Sequence, residues 1–494
     1  MVRRPIILAL AAWLSASPCM AQGLPDLGDA SAATLSEQQE RTIGNRIMRE
    51  VRIDKDFIDD PEIYDYINSL GQRLLAVADP PRREIDFFVV RDDTINAFAL
   101  VGGHIGVHTG LFTLTQSESE LAGVLAHEIA HILQKHQARV LAGQARSSWT
   151  SLAALALALI AARSGTSQSA QVTEAAVATA GALQIQTAID YTREHEREAD
   201  RVGLTLLERA GFDTRGMAMF FERMLRANRL SEFKGAPSYL RTHPLTTERI
   251  ADIQDRIEHG REGILSMMVS ESFEYRLARA RVRATTGPPS EAIKYFRSSL
   301  EEKTILQPRE EVYGLAVALQ RTRELDAAWN TLAPLLKGSN VHPAFRVLAG
   351  RIKTDMRRED EALEIYRTAL KAHPNYRSLV YAYNELLQQT GQTRESLADL
   401  DQRLRGGNVD DARLYDLQAR GMEAAGLRIG QHRAQAEAYF RRGNLAAAVD
   451  QLEIAVKQVR GSDFYEIASA EARLRDLRIQ LENERAAEKA LKIS

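Results

Sequence analysis

One short motif constrains this chain more than any other feature, because it requires two histidines to face the same point. His127 and His131 enclose Glu128 in an H-E-x-x-H pattern, inside a largely apolar run at residues 121–136 that predicts one helix. Residues four apart lie on nearly the same face of a helix, so both imidazoles can bind one metal ion. Glu128 can then act as a general base, which is the arrangement of zinc hydrolases.

The alternative for this motif is a coincidence in a chain that has 11 histidines. The apolar positions around it argue against coincidence, because they place the helix in a core, where a pair of histidines without a partner is costly. These positions are Leu121, Val124, Leu125, Ile129, Ile132 and Leu133. We therefore expect one zinc ion (Zn2+) per chain at this helix.

A catalytic zinc site needs a third protein ligand and keeps one position open. Residues 192–200 supply candidates, because Glu196 and Asp200 are four apart and share a helix face. One carboxylate can bind the metal while the other fixes the ring of a ligating histidine. Taken alone, this acidic segment is better explained as an exposed, salt-bridged helix face. On spacing, three neighbours compete for the role of ligand: Glu194, His195 and Glu198.

Three elements of the sequence resemble one family of peptidases. Residues 196–200 read E-x-x-A-D, residues 96–105 contain N-A-F-A followed by G-G-x-I, and residues 243–250 begin with His-Pro and end with Arg-Ile. These elements resemble those of the HtpX/CAAX-prenyl-protease family of zinc peptidases. The resemblance implies that Glu196 is the third zinc ligand beside the two motif histidines, and that Asp200 orients a ligand.

Over the whole chain, the resemblance is to one branch of that family, with a signal peptide, a soluble protease domain and a C-terminal array of tetratricopeptide (TPR) repeats. It implies that His243 can approach the zinc as a fourth, inhibitory ligand that keeps the enzyme latent. It also implies outer-membrane β-barrel proteins and their assembly machinery, including the lipopolysaccharide-transport barrel, as clients and partners. Arg249 has two open interpretations, as a group that stabilises the oxyanion or as a member of a structural ion pair.

The composition limits the class and the compartment of the protein. A chain of 494 residues is long enough for two or three domains, and a net charge of −2 argues against a nucleic-acid-binding surface. Residues 1–21 predict a signal peptide, with Arg3 and Arg4 before a short apolar segment and a cleavage site near Ala21. Cys19 is the only cysteine, so cleavage leaves a chain without disulfides. We therefore expect a periplasmic protein.

Short-range patterns predict a small sheet among helices. Residues 36–78 have helical periodicity, and the segments 84–91, 95–101 and 104–108 predict strands. The result is an α+β zinc-metallopeptidase domain at residues 22–262, mostly helical, with a sheet whose exposed edge can pair with an extended peptide.

Some features in this domain have two interpretations. His104 and His108 are either substrate contacts or, as we favour, strand histidines with satisfied hydrogen bonds. His136, at the end of the motif helix, is expected to pack or cap rather than bind metal. The Ala-rich residues 147–190 predict a helical hairpin, either buried over the active site or in peripheral contact with a membrane.

From about residue 263 the sequence becomes repetitive, with small residues at intervals of 36, 34, 34 and 52 residues. A period of 34 is typical of TPR helix pairs, and the longest interval leaves room for a degenerate unit near residues 412–426. We predict an all-α TPR solenoid at residues 263–494, which is usually a protein-binding surface; a generic helical bundle is the alternative. The repeated small residues are Ala292, Ala328, Ala362, Ser396 and Ala448, and the predicted turn glycines are Gly287, Gly391 and Gly443.

Two functions are consistent with these patterns. The first is a periplasmic zinc-dependent endopeptidase, self-inhibited by His243, that acts with chaperone-like character in the assembly or degradation of outer-membrane β-barrel proteins. The second is a non-proteolytic TPR chaperone or scaffold with a structural zinc. Glu128 favours the first function, because a structural site needs no general base.

Overall fold

The computed structural model describes residues 37–79, 85–137, 193–230, 238–259, 271–302, 308–338, 340–405, 409–457 and 464–493. The predicted signal peptide at residues 1–21 and the predicted hairpin at residues 147–190 lie outside this part of the chain. The described residues are mostly helical, with one three-stranded sheet. None of the helices in these ranges is long and apolar enough to cross a membrane.

The first half of the chain places a small sheet among helices. The helices are α1 (Glu37–Ile53), α2 (Pro61–Leu75), α3 (Thr109–Leu114), α4 (Glu118–Leu133), α5 (Arg193–Arg209), α6 (Arg215–Leu230), α7 (Ser238–Thr242) and α8 (Thr247–His259). The strands are β1 (Asp86–Val90), β2 (Ala97–Leu100) and β3 (His104–His108). The first two strands begin two residues later and end one residue earlier than predicted, and the third has its predicted bounds.

The sheet has the order β1-β3-β2, so β2 forms one of its edges. Strand β3 pairs in parallel with β1 and antiparallel with β2. Gly102 and Gly103 join β2 to β3 with φ values of +89° and +85°, which residues with a side chain rarely adopt. This tight connection brings the N-A-F-A segment to the sheet edge that packs beside α4.

The motif helix α4 is shifted by three residues from its predicted position, so the prediction that it extends to His136 is wrong. It begins early because the Ser117 side chain caps it by accepting a hydrogen bond from the Glu120 N–H. It ends at Leu133 because Lys135 adopts a φ of +51°, which breaks the helical path. His136 therefore follows a turn instead of lying on the motif helix.

Helix α4 runs through the main hydrophobic core, and all its residues from Glu118 to His131 are buried. Helices α5 and α6 pack closely against it through glycines. A Cβ added to Gly203 on α5 would lie 3.1 Å from the backbone N of His127, and one added to Gly216 would lie 2.6 Å from the backbone of Ser119. The motif histidines are thus held in the interior by helix packing.

The second half of the described chain is helical throughout. Its α-helices are α9 (Phe273–Thr285), α10 (Pro289–Glu302), α11 (Arg309–Arg321), α12 (Leu325–Leu332), α13 (Pro343–Asp355), α14 (Glu359–Ala372), α15 (Arg377–Gln389), α16 (Thr393–Leu404), α17 (Ala412–Ala424), α18 (Arg428–Arg441), α19 (Leu445–Lys457) and α20 (Phe464–Ile493). A short 3-10 helix, Ala333–Leu336, follows α12.

The repeated residues occupy equivalent positions in these helices. All five small residues of the repeat frame are buried, and each is the fourth residue of its helix. The helices are α10, α12, α14, α16 and α19. Gly287, Gly391 and Gly443 lie between helices with φ values of +67°, +76° and +73°. Helix α17 fills the long interval where a degenerate unit is predicted.

The two halves of the chain share contacts at several places. Tyr275, on α9, is buried in the main core beside Tyr66 of α2, and its hydroxyl donates a hydrogen bond to the Thr115 carbonyl at 2.9 Å. Near the other end, Arg49 and Arg52 of α1 donate hydrogen bonds to the carbonyl oxygens of Gly443 and Arg442. The domain boundary at residues 262–263 stays a prediction.

Candidate metal centre

Four side chains from three parts of the chain meet in the core. Helix α4 contributes His127 and His131, α5 contributes Glu196, and the loop after α7 contributes His243. All four are buried, and their potential ligand atoms lie within 4.8 Å of one another. We call these residues the four-residue cluster.

The distances within the four-residue cluster fit one metal ion. His127 Nε2 and His131 Nε2 are 3.0 Å apart, and each lies 3.4 Å from an oxygen of Glu196. Ligands of a tetrahedral zinc with bonds of about 2.0–2.1 Å would be separated by about 3.3 Å. Two imidazole nitrogens this close repel each other unless a proton or a cation lies between them. Imidazole and carboxylate are also the ligand types that a divalent metal such as zinc prefers.

His243 takes the fourth place in this arrangement. Its Nδ1 lies 3.0 Å from Glu196 Oε1 and 3.3 Å from His127 Nε2, while its Nε2 lies 3.4 Å from Glu128 Oε1. The imidazole stacks on Tyr239, with ring centroids 4.7 Å apart. His243 therefore lies between the other three residues of the cluster and Glu128, the residue predicted to be the general base.

Asp200 and Arg249 contact the cluster on the side of His127 Nδ1 and Glu196 Oε2. Asp200 Oδ1 lies 3.0 Å from His127 Nδ1, the ring nitrogen that faces away from the cluster. Arg249 donates hydrogen bonds to both oxygens of Asp200, at 2.7 and 2.8 Å, and its Nη1 lies 2.7 Å from Glu196 Oε2. Of the two interpretations of Arg249, the structure contains the ion pair.

Burial and charge set the protonation states of the cluster without metal. Burial disfavours a charged His127, but the hydrogen bonds that its ring donates to Asp200 and Glu196 outweigh this effect and raise the pKa of His127 to about 9. For His131, burial dominates and lowers its pKa well below the usual value. Burial opposes the charge of Glu196, yet the three neighbouring imidazoles hold the pKa of this carboxyl well below its usual value.

Glu128 has the environment of a proton carrier. It is fully buried, and this burial raises the pKa of its carboxyl, although the charges of His243 and His127 oppose the rise. A carboxyl whose pKa is raised toward the working pH both accepts and donates protons more readily than an exposed one. The remaining positions of the acidic segment lie elsewhere: Glu194 is exposed, and Glu198 contacts His136.

Three other histidines of this domain lie outside the four-residue cluster. His108 is buried, and its Nδ1 lies 2.9 Å from Thr94 Oγ1 and 3.4 Å from Asp92, as expected for a satisfied strand histidine. His104 Nδ1 lies 3.8 Å from Asp86, which is too far for a hydrogen bond, so the prediction of a satisfied strand histidine is confirmed for His108 but not for His104. His136 Nδ1 contacts His131 Nδ1 at 2.9 Å, a contact that the sequence analysis missed because it continued the motif helix to residue 136.

Comparison with known proteins matches this site to a peptidase family. Residues 63–257, which include the whole four-residue cluster, match peptidase family M48. The chain is 34% identical over 463 residues to the beta-barrel assembly-enhancing protease of Escherichia coli strain K12, covering 93% of this chain and 92% of that protein. A beta-barrel assembly-enhancing protease of Yersinia pestis is 31% identical over 92% of this chain and 91% of its own length.

More distant relatives share only part of the chain. The mitochondrial metalloendopeptidase OMA1 of Schizosaccharomyces pombe is 32% identical over 191 residues, which is 38% of this chain and 52% of that protein.

The beta-barrel assembly-enhancing proteases confirm, over nearly the whole length of the chain, the resemblance found in the sequence motifs. This protein is a metalloprotease that belongs to the family of the beta-barrel assembly-enhancing proteases and contains a peptidase family M48 domain.

Proposed function

We propose that this protein is a zinc endopeptidase of the periplasm that acts on outer-membrane β-barrel proteins during their assembly or degradation. The observation that carries the proposal is the buried four-residue cluster with the Glu128 carboxylate beside it. Its cofactor is one zinc ion held by His127, His131 and Glu196. The relatives are named beta-barrel assembly-enhancing proteases, and this name supports the substrate class.

Each residue of the site has a chemical task. Zinc, when bound, polarises the scissile carbonyl and makes water a better nucleophile at neutral pH. Glu128 removes a proton from the attacking water at its carboxylate oxygen and delivers it to the leaving amine nitrogen. Asp200 accepts a hydrogen bond from His127 Nδ1–H and so keeps Nε2 directed at the cluster. Arg249 balances the buried charges of Asp200 and Glu196.

The edge strand β2 is the proposed binding place for an extended substrate segment. It pairs with β3 on one side and contacts α4, so a peptide added to its outer edge would run past Glu128. A misassembled β-barrel protein exposes unpaired strands, which are suited to this kind of pairing.

We further propose that the protein is exported by the segment at residues 1–21 and that residues 263–494 form a TPR array that docks clients and the β-barrel assembly machinery. The regular alternation of helices and the buried small residues at the repeat positions support the array. In this arrangement, proteolysis and partner binding belong to different parts of one chain.

The proposal predicts that Glu128→Gln separates these two activities. This variant keeps the size of the side chain but cannot accept the proton, so we expect a fold and zinc content like the wild type and a loss of proteolysis of at least about 100-fold. Cleavage of an unfolded β-barrel substrate, with metal analysis of the same samples, measures both. Cleavage at the wild-type rate would rule out Glu128 as the general base.

A substitution at the third ligand tests the metal site itself. Glu196→Ala should lose zinc, whereas Glu194→Ala, on the exposed side of the same helix, should keep it. Full retention of zinc by Glu196→Ala would assign the third ligand to another residue.

A further inference from the structure

The two motif histidines are each contacted on the ring nitrogen opposite the four-residue cluster, but by different groups. His127 Nδ1 faces the Asp200 carboxylate at 3.0 Å. His131 Nδ1 faces the ring of His136 at 2.9 Å, and His136 Nε2 in turn lies 3.1 Å from Glu198 Oε2. His127 Nδ1 therefore contacts a carboxylate directly, whereas the His136 imidazole lies between His131 Nδ1 and a carboxylate.

The protons in this second contact have one consistent arrangement. His131 points Nε2 at the cluster, so the neutral ring that binds a metal through Nε2 carries its proton on Nδ1. That Nδ1–H must then donate to His136 Nδ1, which leaves the His136 proton on Nε2. The His136 Nε2–H donates to the Glu198 carboxylate. Each donor therefore meets an acceptor along the whole chain of three residues.

The turn after α4 is what brings His136 to this place. On a continuous helix, residue 136 would lie about 140° around the axis from residue 131 and could not contact its ring. Lys135, with its φ of +51°, ends the helix and returns the chain toward α5. His136 is then fully buried, and its ring stacks on His195 with centroids 4.5 Å apart and planes inclined by 20°.

The charge of the site explains why an imidazole, and not another carboxylate, contacts His131 Nδ1. Glu128, Glu196 and Asp200 already place three acidic groups in the buried site. A fourth buried carboxylate would need its own cation, since an uncompensated buried charge is costly. A neutral His136 adds no charge, and Glu198, whose side chain is 30% exposed, keeps its own charge in contact with water.

We propose that His136 is a positioning residue that fixes the tautomer and the ring orientation of His131, and that Glu198 fixes His136 in the same way. The proposal rests on the proposed ligand set, because it assumes that His131 binds the metal through Nε2. Groups that orient metal ligands in this way typically change metal affinity by about 10–100-fold when they are removed.

Zinc affinity of the full chain, measured by competition with a chelator, tests the proposal. His136→Phe keeps a stacked ring but removes the acceptor, and we expect zinc binding to weaken by about 10–100-fold. His136→Asn places an amide oxygen near the position of Nδ1 and should bind zinc within about threefold of the wild type. The reverse order, with Phe near wild type and Asn weak, would show that His136 only packs and would overturn the proposal.

A second pair of variants avoids the core and stands in if His136→Phe does not fold. Glu198→Ala should weaken zinc binding, whereas Glu194→Ala removes an exposed carboxylate one turn earlier on α5 and should not. Equal affinity of these two variants would also overturn the proposal. His131→Ala distinguishes an error in the ligand set from an error in the positioning role. If this variant keeps zinc, the proposed ligand set is wrong. If it loses zinc while the His136 and Glu198 variants keep it, only the positioning role is wrong.

Discussion

His127 couples metal binding to pH through a single buried proton. Without metal, hydrogen bonds that the ring donates to the carboxylates of Asp200 and Glu196 overcome the effect of burial and raise its pKa to about 9. A metal ligand must be neutral, so at neutral pH the ion has to displace this proton. Since the pKa of the folded state lies above the usual value of 6.5, the charged ring stabilises the metal-free protein below about pH 6.5, and this contribution disappears as the pH rises through about 9.

We therefore predict that apparent zinc affinity increases by about tenfold per pH unit between about pH 7 and 9 and then levels off. Chelator competition across this range, corrected for the titration of the chelator, measures the slope. Asp200→Asn removes one of the carboxylates that hold the proton, so its slope should level off at lower pH. An affinity that does not change with pH in the wild type would contradict the assigned charge state of His127.

At the scale of single residues, part of the site could be predicted from the sequence. His127 and His131 follow from helix periodicity alone, because their relation is local. The choice of Glu196 over Glu194 or Glu198 did not follow from spacing, and it came only from resemblance to a family. The choice depends on the rotation of α5 against α4, which is a tertiary property. His136 could not be predicted, because the left-handed turn at Lys135 has no signal from glycine or asparagine.

At the scale of elements, the metal site depends on the separation of α4 and α5. Gly203 lies on α5, three residues after Asp200, where the backbone of α5 closely approaches α4. A Cβ there would meet the backbone of Ala126 and His127 at 3.1 Å, and helix backbone cannot move aside as a side chain can. The absence of a side chain at this position lets the carboxylates of α5 reach the histidines of α4.

We predict that Gly203→Val pushes the two helices apart and weakens zinc binding by at least about tenfold. Arg201→Val is the matched control, because it introduces the same β-branched residue at an exposed position of the same helix. Both variants should retain helical circular dichroism, and chelator competition compares their metal affinities. Equal zinc affinity in the two variants would mean that the close approach at Gly203 does not position the site.

The loop that carries His243 is held at both of its ends. The His243 N–H donates to the Tyr239 carbonyl at 2.8 Å, and Arg249 donates to the Pro244 carbonyl at 2.8 Å. The residue before a proline favours an extended backbone, so His243 projects from a turn and not from a helix. Its imidazole lies 3.4 Å from Glu128, so under the proposed latency it fills the position that substrate and water would need, and release of this loop would control activity.

Removal of the side chain should therefore activate the enzyme. We predict that His243→Ala increases cleavage of a fixed unfolded substrate, with self-cleavage as an additional product, while zinc remains bound by the other three ligands. If His243 instead assists substrate binding, the same variant should be less active than the wild type, and the latency model fails. The double variant His243→Ala with Glu128→Gln should be inactive, which shows that any cleavage belongs to this protein.

At the scale of the whole molecule, a buried ion pair joins the two halves of the chain. Arg281, on α9, donates hydrogen bonds to both oxygens of Asp60, at 2.9 and 2.8 Å, and lies 3.1 Å from Glu62. Its Nη1 also donates to the hydroxyl of Tyr313, on α11, at 2.6 Å. The helical periodicity of both halves was predictable, but this contact joins residues 221 positions apart, and no local pattern indicates it.

Burial decides how much such a contact contributes to stability. The Arg281 side chain is 6% exposed, so Arg281→Met would leave Asp60 and Glu62 as uncompensated acids at the junction. We predict a loss of about 3–5 kcal/mol in the free energy of unfolding, the usual result when one partner of a buried pair is removed.

Asp65→Asn is the control for Arg281→Met. It breaks the ion pair between Asp65 and Arg377, which also joins the two halves but is more than one third exposed. Exposed pairs contribute about 0–1 kcal/mol, so the urea midpoint of this control should stay close to that of the wild type. Equal midpoints for the two variants would mean that the junction is not held by the buried pair, and that the apolar packing of Tyr275 in the main core joins the halves without it.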